Sequence, residues 1–255
     1  SGIVMDGVAA EHIREAVPVI ASYGDAIGIR AFARRENLDD DLADRNFHEL
    51  TSLVSTPYIN MESAINHPCQ SLADWKTMDD LGIPASGGKV VLSWTWHPQP
   101  LPLAVPAGTL HMAALRGMDV TVLRPEGFEL PETVMDRAHQ AAAMSGGSVT
   151  ETEDRSDAMH GCQVVYASSW SSSRHYGNQT TEREFKSELQ DWCIDEAWFG
   201  NAANDCRFMH CLPVRRGVTV TDEILDGPRS VVIPEARNRM LVQMAVLHRM
   251  LSSSA

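Results

Sequence analysis

Residues 208–216 combine reactive and cationic side chains at the predicted end of a strand. Phe208 and Met209 favour a buried strand, and Pro213 cannot continue its hydrogen-bond ladder. His210 and Cys211 are therefore predicted at the carboxyl end of that strand, followed by Arg215 and Arg216, where open α/β sheets bind ligands. Two guanidinium groups there indicate an anionic ligand, because arginine matches carboxylate and phosphate with a planar fork. The run alone also fits a buried His-Cys pair beside two solvated arginines.

A second run, His67-Pro68-Cys69-Gln70, predicts the start of a helix, because proline is favoured at the first helical position. His67 and Gln70 then lie beside unpaired backbone N–H groups and the positive end of the helix dipole. Both side chains can hydrogen-bond a carbonyl or phosphate oxygen there. The competing interpretation is a capping turn with a buried Cys69. Arg30 at a strand end and Arg239 near the start of the last helix are, each alone, typical of a surface.

Composition excludes several classes of partner. The chain has 255 residues, 44% of them hydrophobic and 22% charged, as is ordinary for a soluble globular protein. Its net charge of −13 argues against nucleic acid and anionic membranes as partners. The sequence has no apolar run long enough to span a membrane and no secretory signal pattern. Five scattered cysteines without a Cys-x-x-Cys pair predict reduced thiols in a cytoplasmic protein.

Strand and helix patterns alternate along the chain, which predicts an α/β fold with parallel, doubly wound sheets. The predicted strands are residues 26–32, 57–61, 89–94, 119–123, 148–152, 163–167, 207–211 and 230–233. The predicted helices are residues 9–22, 47–54, 67–81, 103–116, 131–145, 222–225 and 235–251, and residues 37–45 are predicted to form a loop.

Taken together and in order, the motifs resemble the aspartate/ornithine carbamoyltransferase family. The motifs that carry the resemblance are His67-Pro68-x-Gln70, His210-Cys211-Leu212-Pro213 and Glu235-x-x-Asn238-Arg239. The runs at 94–101 and 214–216 are similar to the branch that carbamoylates N-acylated ornithine. Pro102 and residues 125–130 resemble the N-succinylornithine enzymes more than the N-acetylornithine enzymes.

The resemblance implies a domain organisation and an assembly. It implies two doubly wound parallel-sheet domains of the carbamoyltransferase type, of which the N-terminal one is incomplete. Residues 1–66 would be a remnant of the carbamoyl-phosphate-binding domain, with the C-terminal helix at 234–255 packing back on it. Residues 67–85 would connect it to an acylornithine-binding domain at 86–233. The family builds homotrimers with active sites at subunit boundaries.

The resemblance also implies roles for individual residues in carbamoyl transfer from carbamoyl phosphate to an acylornithine. The carbonyl oxygen gains negative charge in the transition state, so fixed donors aimed at it lower the barrier. The residues implied to bind carbamoyl phosphate are Arg30, His67, Gln70, Cys211, Leu212 and Arg239, and those implied on the acylornithine side are Glu62, His97 and Arg215. Within this set Arg30, His67, Gln70 and Cys211 form the catalytic group, with Gln70 at the carbamoyl amino group and no covalent role for Cys211. No metal or organic cofactor is implied.

The sequence departs from the family pattern in three ways: one motif is absent, and two lysines are replaced. The phosphate-binding run Ser-x-Arg-Thr-Arg does not occur in the 255 residues, so the resemblance implies weak carbamoyl-phosphate binding by the chain as given. Ser168 and Thr219 each stand where related enzymes carry a lysine, and the small, apolar segment at 8–11 does not determine the acyl group. A non-catalytic relative or fragment that binds an amino acid or assembles as an oligomer is the alternative.

A metal site built from His97, His210 and Cys211 is a third hypothesis. These ligands lack the spacing that zinc sites use, and no histidine pair at i, i+4 supports them.

Overall fold

A computed structural model describes residues 11–252 of the chain. The predicted start of the first helix at residue 9 and residues 8–10 of the segment at 8–11 lie outside the described residues.

Helices and strands alternate through the described part of the chain. The strands are β1 (Ile27–Arg30), β2 (Tyr58–Glu62), β3 (Lys89–Trp94), β4 (Asp119–Leu123), β5 (Ser148–Thr152), β6 (Val164–Ser168) and β7 (Arg207–Met209). The helices are α1 (Ile13–Ala21), α2 (Leu38–Leu42), α3 (Arg45–Thr51), α4 (Pro68–Asp80), α5 (Ala104–Leu115), α6 (Glu132–Ser145), α7 (Arg155–Met159), α8 (Gln179–Phe185), α9 (Asp222–Asp226) and α10 (Val232–Ser252).

The strands form two parallel sheets, which confirms the predicted α/β fold class. β1 pairs with β2, and the larger sheet has the order β5-β4-β3-β6-β7. From β3 the chain first moves outward to β4 and β5, and then returns to add β6 on the other side. The connections therefore reverse direction between β3 and β6, which is the position where doubly wound sheets bind ligands.

The core surrounds the larger sheet. β6 is buried at every position, and β3 is buried from its second residue onward. Such strands have apolar residues in succession rather than in alternation, since helices cover both faces of the sheet. The buried indoles satisfy their polar atoms: Trp94 Nε1 donates to the Trp170 carbonyl at 3.0 Å, and Trp170 Nε1 donates to the Phe128 carbonyl at 2.9 Å. The carboxyl ends of β3 and β6 are thus held by a packed aromatic layer.

Helix α4 joins the smaller sheet to the larger one. Pro68 occupies its first turn, and its neighbour α5 approaches closely at Gly108, where a Cβ would lie 2.9 Å from Ser71 Oγ. Helix α10 packs along α4 and also contacts β7. Asn238 Nδ2 of α10 donates to Thr77 Oγ1 of α4 at 3.0 Å, inside this helix pair. Helix α4 is therefore held by α5 near its start and by α10 near its end.

Two of the predicted elements were wrong. Residues 37–45 contain α2 and the start of α3 rather than only a loop. The Asn37 side chain caps α2 by accepting a hydrogen bond from the Asp40 backbone N–H. The acidic residues in the first turn of α2 stabilise it further, because they lie at the positive end of the helix dipole. Residues 230–233 do not form a strand: Ser230 makes a single bridge to Phe208, and α10 begins at Val232. Among residues 11–252, no helix is long and apolar enough to cross a membrane.

Candidate active site

A cavity of about 250 Å³ opens at the carboxyl ends of β3, β6 and β7, beside the carboxyl ends of β1 and β2. Its lining includes eight of the nine residues implied by the sequence motifs, namely Arg30, Glu62, His67, His97, Cys211, Leu212, Arg215 and Arg239. These residues come from both sheets, from the start of α4 and from α10. The structure thus brings together side chains that are up to about two hundred positions apart in the chain.

The smaller sheet contributes Arg30 and Glu62. The strand register shifts between Ile29 and Arg30, so that Arg30 lies opposite Glu62. Arg30 Nη2 and Nε both donate to Glu62 Oε2, at 2.7 and 3.2 Å, and the guanidinium group also lies 4.4 Å from the Phe32 ring centre. The Glu62 side chain is nearly buried, whereas that of Arg30 is half exposed. Glu62 therefore holds the Arg30 guanidinium at the mouth of the cavity.

His67 lies immediately before α4, with a buried ring. Its Nε2 is 3.8 Å from Glu62 Oε2, and its Nδ1 is a buried atom without a hydrogen-bond partner. Burial, together with repulsion from Arg239 and Arg30, lowers the pKa of His67 to about 3. His67 is therefore neutral at physiological pH and offers one N–H donor and one acceptor rather than a positive charge.

Gln70 is not among the lining residues of the cavity, and it lies behind Arg239. Arg239 Nη1 donates to Gln70 Oε1 at 3.4 Å. The amide nitrogen of Gln70 donates to Asp74 Oδ1 at 2.8 Å and to Glu235 Oε1 at 3.2 Å. Asp74 and Glu235 are fully buried. The nitrogen of the Gln70 amide therefore faces two carboxyl groups, and its oxygen faces Arg239, which lines the cavity.

The segment after β7 has a constrained backbone. Leu212 has a φ of +51°, which is unusual for a residue with a side chain, and its N–H donates to His210 Nδ1 at 2.9 Å. Because Nδ1 accepts, the neutral His210 ring carries its proton on Nε2. The Leu212–Pro213 peptide is cis. The strand ends two residues earlier than predicted, and the 210–213 turn rather than the strand forms the cavity wall.

Cys211 does not have the environment of a nucleophile. Burial raises the pKa of the Cys211 thiol, and the nearby carboxyl groups of Glu235, Asp74 and Glu62 raise it further. A reactive cysteine instead needs a lowered pKa beside a cation or a helix start. The thiol therefore remains protonated and acts as a neutral part of the wall.

His97 and Arg215 form a pair on the opposite side of the cavity. Arg215 Nε donates to His97 Nε2 at 2.9 Å, and since an arginine N–H can only donate, Nε2 must be the unprotonated nitrogen. His97 Nδ1 lies 2.9 Å from the Gln99 carbonyl oxygen and 3.0 Å from the Gln99 backbone nitrogen. Burial lowers the pKa of His97, which favours the neutral ring. Arg216 points elsewhere and forms ion pairs with Asp222 and Asp226 at 3.0 and 2.7 Å.

Sequence reasoning gave no role to several residues of the site. An apolar wall is formed by Leu101, Pro102 and Val105, and the floor includes Ser168, Ser169 and Thr219. Pro102, Ser168 and Thr219 were recognised only as signatures or departures. Ser168 lies at the reversal point between β3 and β6, and the sequence analysis predicted the ranges of the strands but not their order in the sheet.

The metal hypothesis receives no support from the described residues. Among residues 11–252, no group of three or more His, Cys, Asp or Glu side chains is arranged to hold a metal ion. The ring of His97 is already engaged at both nitrogens, by Arg215 and by Gln99.

The arrangement is suited to binding an anion and stabilising a second, developing negative charge. Arg30 and Arg239 lie with His67 on one side, while Arg215 lies across the cavity beside an apolar wall. The rest of the molecule is strongly acidic, with a net charge of −13, so the cavity is a local basic site. Such a site takes one anionic electrophile and a second substrate with both a charged and an aliphatic part.

Two family models match most of the chain. The carbamoyl-P binding domain of aspartate/ornithine carbamoyltransferase matches residues 2–80, and the Asp/Orn binding domain of the same family matches residues 105–250. Among similar proteins is an N-acetylornithine carbamoyltransferase of Xanthomonas campestris pv. campestris, 40% identical over 99% of this chain and 75% of the relative. An N-succinylornithine carbamoyltransferase of Bacteroides thetaiotaomicron is 35% identical over 98% of this chain and 73% of the relative.

Solved structures agree with these relatives. An acetylornithine transcarbamylase complexed with acetylcitrulline superposes with a TM-score of 0.89 at 40% identity, over 96% of this chain and 74% of the other. A mutant N-acetyl-L-ornithine transcarbamylase complexed with carbamyl phosphate and N-succinyl-L-norvaline gives a TM-score of 0.90 at the same identity and the same coverage. The order of the motifs, the position of the cavity and these matches agree, and the chain belongs to the aspartate/ornithine carbamoyltransferase family.

Proposed function

We propose that this protein transfers the carbamoyl group of carbamoyl phosphate to the δ-amino group of an N2-acylated ornithine, with acetyl or succinyl as the acyl group. The observation that carries the proposal is the cavity that gathers Arg30, His67, Arg239, His97 and Arg215 at the reversal point of the sheet. A reaction of this kind belongs to arginine biosynthesis. The relatives named above support the acylated rather than the free substrate.

The donor side is formed by Arg30, His67 and Arg239. Arg30 and the neutral His67 donate to the carbonyl oxygen of carbamoyl phosphate, where negative charge develops as the amine attacks. Arg239 binds a phosphate oxygen, and Cys211 and Leu212 face the carbamoyl group from the 210–213 turn. A C–N bond forms, the C–O bond to phosphate breaks, inorganic phosphate leaves, and the amine loses one proton to solvent or phosphate. No metal or cofactor takes part in this scheme.

The acceptor side is formed by His97 and Arg215 and by the apolar wall of Leu101, Pro102 and Val105. The exposed Arg215 binds a carboxylate of the acylornithine, and the wall covers its aliphatic part. Glu62 was expected on this side, and its pairing with Arg30 supports a role in orienting the donor half instead. Holding both substrates in one cleft accounts for much of the expected rate enhancement.

Product formation tests the proposal. Citrulline-type product is measured from carbamoyl phosphate with N-acetyl-, N-succinyl- and free L-ornithine as acceptors. We expect an acylated ornithine to be preferred. A clear preference for free ornithine would contradict the assignment to the acylornithine branch, and absence of product with every acceptor would favour the non-catalytic alternative.

A matched pair of arginine variants tests the acceptor side. Arg215→Met should raise the KM for acylornithine by about tenfold or more, since a charge-assisted hydrogen bond contributes about 1.5–3 kcal/mol. The KM for carbamoyl phosphate should change little. Arg216→Met is the control, because Arg216 is engaged with Asp222 and Asp226 outside the cavity. Equal effects of the two variants would remove Arg215 from the acceptor site.

The family resemblance further supports a homotrimer, a cytoplasmic location and the domain division at residues 66 and 86. All five cysteines are free thiols, as a reducing compartment requires. Light scattering on the purified protein should give three times the mass of one chain. A monomer at micromolar concentration would contradict the trimer.

A further inference from the structure

Asp74 and Glu235 form a buried acidic pair that the scheme above does not use. Asp74 lies one helical turn after Gln70 in α4, and Glu235 lies in the first turns of α10. Both side chains are completely inaccessible to solvent. The two carboxyl groups meet at one nitrogen, since Asp74 Oδ1 and Glu235 Oε1 both accept from Gln70 Nε2.

The pair is maintained by its surroundings. Burial raises the pKa of Asp74 to about 7 and raises that of Glu235 well above its ordinary value. Both carboxyl groups therefore favour the protonated form more than an exposed carboxyl group does. Burial also raises the pKa of the Tyr166 hydroxyl, and the nearby Asp74 and Glu235 raise it further. Arg239 acts in the opposite direction and lowers the pKa of Asp74.

The pair determines which end of the Gln70 amide faces Arg239, a residue that lines the cavity. Both carboxyl groups accept from Gln70 Nε2, at 2.8 and 3.2 Å. If the amide were reversed, its oxygen would face the Asp74 carboxyl oxygen, and its NH2 group would face the Arg239 guanidinium, which also only donates. The clash of two donor groups at Arg239 favours the observed orientation.

The same pair also fixes the opposite wall. The N–H of His210 donates to Glu235 Oε2 at 3.0 Å, at the start of the 210–213 turn. Glu235 therefore connects the Gln70 side of the site with the turn that carries Cys211 and Leu212.

We propose that Asp74 and Glu235 are positioning residues that make Gln70 an obligatory hydrogen-bond acceptor, so that the site selects a donor substrate with an amino group on its carbonyl carbon. This inference rests on the proposed function, in which the family resemblance places Gln70 at the carbamoyl amino group, and it adds the two buried carboxyl groups that orient the Gln70 amide for that contact. Their effect is measured by comparing carbamoyl phosphate with an acyl phosphate of similar size and charge. Acetyl phosphate is that analogue, since a methyl group replaces the NH2 group and cannot donate.

The test compares the two phosphates in binding and in inhibition. For the wild-type protein and for Asp74→Asn, the Kd of each phosphate is measured by calorimetry, and acetyl phosphate is also assayed as a competitive inhibitor against carbamoyl phosphate. Asparagine can donate to or accept from Gln70, so the amide loses its preferred orientation. We expect the wild type to favour carbamoyl phosphate, and Asp74→Asn to lose about tenfold of that selectivity, as expected for one hydrogen bond.

Two further variants keep the test independent of folding. Gln70→Met leaves the acidic pair in place and should show the same loss of selectivity as Asp74→Asn. Thr77→Val is the matched control, because it removes the hydrogen bond to Asn238 in the same α4–α10 contact without touching Gln70. Its selectivity should equal that of the wild type.

The outcomes separate the two proposals. Equal loss of affinity for both phosphates in Asp74→Asn, or full selectivity in Gln70→Met, would overturn the positioning role. Selective binding of carbamoyl phosphate without product would overturn the proposed function alone. A wild type that does not distinguish the two phosphates overturns this inference, whether or not it forms product.

Discussion

At the scale of residues, the donor side of the cavity combines positive groups with a neutral one. Arg30 and Arg239 carry charge, and their repulsion helps to keep the His67 ring unprotonated. A neutral imidazole retains one nitrogen that accepts, which an imidazolium does not. His67 can therefore donate to a substrate oxygen with one nitrogen and accept with the other.

The low pKa of His67 predicts a pH-dependent contribution to stability. The unfolded chain binds a proton at His67 near pH 6.5, whereas the native state binds it only near pH 3. Native stability is therefore lost as the pH falls through this window, with a slope of up to about 1.4 kcal/mol per pH unit from this group. The free energy of unfolding of wild type minus that of His67→Gln should decrease between pH 7 and pH 5, measured by urea denaturation. A constant difference would show that the native pKa of His67 is not lowered.

At the scale of elements, the turn between β2 and α4 determines where Glu62 and His67 lie. Asp44, which precedes α3, fixes this turn from outside: its carboxylate accepts from Ser63 Oγ at 2.5 Å and from Ala64 N at 2.9 Å. Asp44 has a φ of +53°, a conformation that aspartate and asparagine tolerate better than most residues. A residue without any catalytic signature in the sequence therefore supports the site.

Removal of the Asp44 carboxylate should loosen that turn. We expect Asp44→Ala to lower the free energy of unfolding by about 3 kcal/mol, since two buried hydrogen bonds to a charged acceptor are lost. The KM for carbamoyl phosphate should also rise. Asp44→Asn is the control, because it tolerates the positive φ and retains one acceptor, so its loss should be about half as large. Chemical denaturation and steady-state kinetics measure both effects, and equal stability of the two variants would exclude the anchoring role.

At the scale of the whole molecule, several contacts join the segment that follows β1 to the part of the chain around the larger sheet. Tyr176 Oη donates to Asp41 Oδ2 at 2.8 Å, and Asp41 also accepts from the backbone N–H groups of Arg34 and Arg35. Arg35 in turn donates to the Pro100 carbonyl, next to the apolar wall of the cavity. These contacts keep the two parts together on the side opposite α4 and α10.

The Tyr176→Phe variant should weaken this connection, because it removes the hydrogen bond to Asp41. A lost hydrogen bond to a carboxylate corresponds to about 1.5 kcal/mol, so the KM values of both substrates should rise by about tenfold while kcat changes little. Tyr23→Phe is the control, because Tyr23 is 81% exposed and distant in sequence from both partners. A fall in kcat without a change in KM would assign Tyr176 a different role.

The sequence by itself determined the fold class and most of the site. Buried strands and amphipathic helices are local patterns, and β3, β4 and β5 begin and end where those patterns predict. Pro68 marked the helix start beside His67, and Pro213 marked the point where the chain leaves the sheet, although β7 already ends at Met209 and Cys211 lies in the turn that follows. Eight of the nine implied residues line one cavity, because each lies close to the end of a strand or the start of a helix that the sequence already indicated.

Only the tertiary structure decided the partners of those residues. Arg215 and Arg216 are equivalent in the sequence, yet Arg215 meets His97 in the cavity while Arg216 meets Asp222 and Asp226 outside it. Glu62 pairs with Arg30 because of a register shift between two strands, and Gln70 is oriented by Asp74 and by Glu235, which lies 165 positions away. Register and helix packing set these contacts through long-range burial, for which a local sequence pattern carries no signal.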